Sequence, residues 1–104
     1  MGFEQYHEPA NELSQATRTF ARMIASLTEE AEAINWYEQR MSLEKDKSAR
    51  AIMQSAQKEE FKHFAMDLEW LLRAKPVWRE IAQGVLFTAD DIVKEGKEAE
   101  EKAD

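Results

Sequence analysis

The sequence predicts an all-α protein dominated by one long antiparallel two-helix hairpin, and three observations carry that prediction. Glycine and proline are scarce, three and two in 104 residues, so little interrupts a helix once it has begun. Apolar residues recur at alternating steps of four and three through two long stretches, the period of a helix packed at a shallow angle on its neighbours. Short polar or proline-containing breaks separate those stretches. The first helix is expected to begin near Pro9, a residue favoured in a first turn, and to run to about Leu43. The break EKDKS follows, with Asp46 as N-cap of a second helix from about Lys47 to Ala74. Lys75-Pro76 ends it, because the residue before a proline disfavours helical geometry. A short third helix, PVWREIAQGV, starts on Pro76, and TADDIVKEGKEAEEKAD forms a fourth, capped by Thr88, before fading into a charged tail. The chain is read as a single helical domain over residues 1–104, with its core at 8–90 and an acidic tail over about 91–104.

Charge narrows the partners. With 21 acidic residues against 14 basic the net charge is −7, which argues against a nucleic-acid backbone, whose phosphates need clustered Lys and Arg. An acidic surface of this kind attracts cations. Cysteine is absent, which excludes disulfides, thiolate metal sites and a thiol nucleophile. Any metal must be held by carboxylate and imidazole, a donor set suited to iron, manganese or zinc. No apolar run reaches the roughly 20 residues of a membrane span, and MGFEQYHEPA lacks a signal-peptide core, so a cytoplasmic location without membrane contact is expected.

The two seams carry the chemistry. In the first helix the seam runs Ala16, Phe20, Met23, Leu27, Glu30, Ile34, Tyr37, Met41; in the second it runs Met53, Ala56, Glu60, His63, Asp67, Trp70. Each places ionisable groups at positions its period reserves for the interior, and a buried, unpartnered carboxylate costs several kcal/mol. Glu60 and His63, three residues apart, share one helix face. Four-helix di-iron carboxylate proteins take one Glu from each of two helices and a Glu-x-x-His from each of the other two. This chain supplies half of that inventory, Glu30 with Glu60 and His63, and a two-fold dimer would supply the rest. An acidic residue three positions before a given His arises by chance about one time in five at this acid content, and alone it reads as an ordinary helix contact. Glu29 and Glu32 fall off the seam, read either as a solvated face or as a cation-attracting approach to the site. Tyr37 is a candidate for a metal contact, a radical or a hydrogen bond there, against the simpler reading of a core tyrosine. Trp36 and Trp70 read as interface aromatics, and His7 as incidental.

The hairpin also has a size problem. A first helix of that length is roughly 50 Å long, and two such helices bury only one stripe each. Phe61, Phe64, Leu68, Leu71, Leu72, Trp36 and Trp78 are expected to remain partly exposed, a surface that belongs to an oligomer interface.

EEAEAINWYEQR (29–40), KEEFKHFAMDLEWLLR (58–73) and LFT (86–88) closely resemble the encapsulated ferritins, short two-helix members of the ferritin-like superfamily packaged in encapsulin nanocompartments. The likeness covers roughly residues 8 to 90. It implies a hairpin that dimerises into a four-helix arrangement, with a di-iron ferroxidase centre across the subunit interface, and five dimers in a ring-shaped decamer. By motif position the iron ligands would be Glu30, Glu60 and His63 of each subunit, with Tyr37 close by. Trp36 would lie near the site, on the metal-free side of that interface. Glu29 and Glu32 would form a secondary site for a divalent cation such as calcium on the approach path. The family oxidises Fe(II) with dioxygen and passes Fe(III) to the encapsulin shell, which stores it. Members commonly end in a short apolar and basic docking peptide, whereas this chain ends EGKEAEEKAD, which implies a shortened chain or another route of targeting. Two other readings stand beside this one: a non-catalytic module in which Zn(II) or Mn(II) staples the dimer, and a metal-free helical interaction module.

Overall fold

The computed structural model describes residues 6–103; residues 1–5, half of the MGFEQYHEPA stretch, and Asp104 at the end of the tail lie outside them. The described chain is helical, in the order of a short 3-10 turn at Ala10–Glu12 and four α-helices: α1 (Gln15–Leu43), α2 (Lys47–Ala74), α3 (Pro76–Val85) and α4 (Ile92–Lys102). It forms two compact units that meet in sequence at Leu68 and Glu69, inside α2.

In the first unit α1 and α2 pack as the hairpin expected from their periods. α1 begins later than Pro9. Pro9 precedes the 3-10 turn, Leu13 is extended, and the Ser14 side chain caps α1 by accepting from the Thr17 N–H at 3.1 Å. A local hydroxyl cap thus outweighs the preference of proline for a first turn. Asp46 caps α2 as expected: its Oδ2 accepts from the Ala49 N–H at 2.8 Å and its carbonyl from the Arg50 N–H at 3.0 Å. The seam residues Phe20, Met23, Leu27, Ile34, Tyr37 and Met41 of α1, and Met53 and Ala56 of α2, are only half-buried, while Ala16 and Trp70 are exposed. The buried tie in this unit is polar. Gln57, only 6% exposed, donates from Nε2 to the Ile34 carbonyl at 3.1 Å and to Glu38 Oε1 at 3.0 Å, joining α2 to α1.

The second unit holds the buried apolar side chains Leu71, Leu72 and Ala99. Leu71 and Leu72 are therefore interior, unlike Phe61 and Trp36, which stay exposed, and Phe64, Leu68 and Trp78, which are half-buried. Pro76 opens α3 after an extended Lys75. Glu69 on the last turns of α2 accepts from Arg73 Nε at 2.6 Å and from Arg79 of α3 at 3.3 Å, and so braces the break. Thr88 does not cap α4. Its hydroxyl donates back to the Val85 carbonyl at 2.6 Å, closing α3, and Asp91 caps α4 by accepting from the Lys94 N–H at 3.0 Å. Between them Phe87 takes φ 63, the left-handed region uncommon for a residue with a side chain. α4 packs on α3, so the acidic segment is a docked helix through Lys102 rather than a fading tail.

Candidate metal centre

The candidate site lies in the first unit, at the middle of both long helices. Glu30 stands on the α1 seam between Leu27 and Ile34, and Glu60 and His63 stand one turn apart on α2. The structure brings the three together: one ligand atom from each lies within 4.8 Å of the others. Glu60 Oε1 and His63 Nδ1 are 3.3 Å apart, with the Glu60 side chain 25% exposed and the imidazole 44% exposed. The set is thus buried on one side and open on the other.

Its electrostatics are unbalanced. Glu30 Oε1 is buried and meets no hydrogen-bond partner, and the same is true of Asp67 Oδ2. Burial, the Asp67 carboxyl and the Glu60 carboxylate push Glu30 up to about 7, against the opposing pull of His63. The cation nearest in sequence goes elsewhere, for Lys62 pairs with Glu59 at 2.9 Å. Carboxylate oxygens without donors, gathered with one imidazole, are the environment a bound cation would satisfy, and oxygen–nitrogen donors of this kind suit iron, manganese or zinc. The residues present therefore fit a metal centre.

The other residues singled out from the sequence do not join the gathered set. Tyr37 is half-buried beneath the Arg40 guanidinium, which sits 5.5 Å from its ring centre. Trp36 is exposed and lines a shallow depression with Gln39 and Arg40. Glu29 and Glu32 are exposed on α1, and His7 is exposed near the N-terminal end of the described chain. Two residues without an assigned role in the sequence reading take one here. Asp67 is the next seam position after His63, and its carboxyl is one of the groups that raise Glu30. Gln57 stands off the seam, and no spacing signal marks it as the buried tie one turn before Glu60.

The comparisons with known proteins cover most of the chain. The EncFtn-like family model matches residues 5–89. A "Ferritin-like protein" of Thermotoga maritima is 45% identical over 91 residues, 88% of this chain and 80% of that protein. An "Encapsulated ferritin-like protein" of Rhodospirillum rubrum is 41% identical over 86 residues, 83% of this chain, which spans 61% of that relative's length. Among solved structures, the crystal structure of protein ne0167 from Nitrosomonas europaea aligns with a TM-score of 0.83 at 43% identity, covering 86% of this chain and 99% of that one. Its fold agrees with the all-α architecture described above. Glu30, Glu60, His63 and Asp67 all fall inside the matched span, and the chain belongs to the EncFtn-like family.

Proposed function

We propose that this protein is a ferroxidase that oxidises Fe(II) with dioxygen at a di-iron centre completed by a second copy of the chain. The observation that carries the reading is the gathering of Glu30, Glu60 and His63 on a half-exposed hairpin face. Three ligands form half of a di-iron carboxylate set, and an isologous two-fold contact doubles each of them. The same contact would cover the half-buried seam from Phe20 to Met41, apolar surface that favours association.

Fe(II) is the substrate in this reading. The Glu30 and Glu60 carboxylates hold and neutralise it, joined by His63, which adds one ring nitrogen as a ligand. Two ions bound side by side, about 3.5–4 Å apart in two-metal sites, can deliver two electrons to one dioxygen. Each Fe(II) loses one electron, and dioxygen with two protons leaves as hydrogen peroxide. Tyr37 is assigned a supporting place close to the ions, and Trp36 lies near the site on the metal-free side. The exposed Glu29 and Glu32 form a secondary cation site, for calcium or Fe(II) on its approach. The assembled form is a homo-oligomer of dimers, a decameric ring. Its location is the lumen of an encapsulin shell in the cytoplasm, where the Fe(III) product is stored. The ferritin-like and encapsulated ferritin-like relatives support those parts of this reading.

The test is native mass spectrometry with and without anaerobic Fe(II), followed by oxygen uptake. The expected result is even-numbered oligomers carrying two irons per dimer and oxygen consumption that is lost in Glu60→Ala and His63→Ala and only altered in rate by Glu32→Ala. Full oxygen consumption in both site variants would overturn the assignment. Metal-dependent assembly without oxygen consumption would support the non-catalytic module instead.

A further inference from the structure

Met66 lies one turn beyond His63, on the flank of α2 turned away from α1. Gln57, the side chain bonded to α1, stands about two and a half turns earlier, on the opposite side of the helix. Ile52 and Trp70 share the flank of Met66, about four turns before it and one turn after. The three apolar side chains form an exposed line, at 69%, 62% and 40% for Ile52, Met66 and Trp70. The other described methionines, Met23, Met41 and Met53, are half-buried on the seams. Met66 therefore presents the one exposed thioether among the described residues, beside a ligand of the candidate centre.

We propose that Met66 is a peroxide-sensitive modification site whose sulfoxide hinders pairing of the chain with a second copy. The inference rests on the reading of a centre completed by that copy, whose reduction of dioxygen leaves hydrogen peroxide as the oxidant. The Met66 sulfur attacks one peroxide oxygen, so an S–O bond forms as the O–O bond breaks. The departing hydroxide takes up the proton of the transferred oxygen and leaves as water. Sulfur loses two electrons and peroxide gains them, and a flexible apolar side chain becomes a polar one. A paired chain keeps this flank covered by its partner, whereas a chain whose partner has left exposes it. Once oxidised, Met66 puts a strong acceptor into the line between Ile52 and Trp70, and pairing would bury it without a donor. Excess peroxide thus withdraws unpaired chains from the reaction that makes it. Reduction of the sulfoxide returns them.

The experiment treats the full chain with hydrogen peroxide, with and without Zn(II). Peptide mass spectrometry locates the added oxygen, and native mass spectrometry reads assembly. Met66 gains oxygen severalfold faster than Met23, Met41 and Met53, and Zn(II), which favours the paired form, slows that gain. Even-numbered oligomers are lost on treatment and return with a methionine sulfoxide reductase. Met66→Leu keeps them through the same treatment, and Met66→Gln, polar from the start, loses them untreated. Oxidation of Met66 no faster than of the other three, an equal rate with Zn(II), or equal loss of oligomers in Met66→Leu overturns the proposal. Even-numbered oligomers that persist with Met66 fully oxidised overturn only this inference. A chain that forms no even-numbered oligomers before treatment overturns the second-copy reading and this inference with it.

Discussion

Gly84 and Ala99 meet where α3 and α4 cross, so closely that a Cβ added to Gly84 would fall 2.6 Å from the Ala99 Cβ. The obstructing atom is anchored to the α4 backbone and cannot rotate away. Gly84→Ala must therefore push α4 off α3, and overpacking of this kind costs roughly 1–3 kcal/mol, more than the gain in helix propensity offsets. Hydrogen exchange should show α4 amides losing protection while those of α1 keep theirs.

Gly96, on α4, is the opposite case. A Cβ there meets nothing within 4 Å, and the backbone is helical. Gly96→Ala removes backbone freedom from the unfolded chain at no steric cost, and should stabilise α4 by about 0.5–1 kcal/mol. A lower far-UV helix signal for Gly96→Ala would contradict this.

Gln57 is the buried polar tie of the hairpin, with hydrogen bonds at 3.1 and 3.0 Å to α1. Gln57→Leu keeps the approximate volume and deletes both bonds, for an expected loss of about 1–2 kcal/mol in urea denaturation. Since the tie lies one turn from Glu60, the same variant should loosen the site and weaken Zn(II) binding. Unaltered Zn(II) affinity together with unaltered stability would assign Gln57 no such role.

The raised Glu30 gives the metal-free chain a defined pH dependence. Its ordinary value of 4.5 becomes about 7 when folded, so between those values the folded state holds a proton that the unfolded state has released. Stability then falls as pH rises from about 4.5 to 7, the reverse of a salt-bridged carboxylate. Denaturation midpoints in the presence of a chelator should follow that slope, and Glu30→Gln should flatten it. A midpoint that climbs over this interval in the unmodified chain, and not in Glu30→Gln, would contradict the cause given for the shift.

Much of the local structure was legible in the chain itself. The end of α2 at Lys75-Pro76, the Asp46 cap and the pairing of Glu60 with His63 each depend on neighbours within one helical turn, and rules of that range read them directly. Where two local signals competed, as Pro9 with Ser14 and Thr88 with Asp91 did, composition could not rank them. The side chain that caught a free N–H decided each helix start.

What the tertiary structure alone decided is how the two long helices register. A seam spacing fixes the direction in which Glu30 or Asp67 points around its own axis, but not which residue of the other helix it meets along that axis. Packing sets that register, with Gln57 bonded to Ile34 and Glu38. It thereby brings Glu30 to Glu60, His63 and Asp67. The sequence by itself determined that carboxylates and an imidazole would face the hairpin interior. Only the fold determined that they converge, because convergence depends on contacts between residues some thirty positions apart.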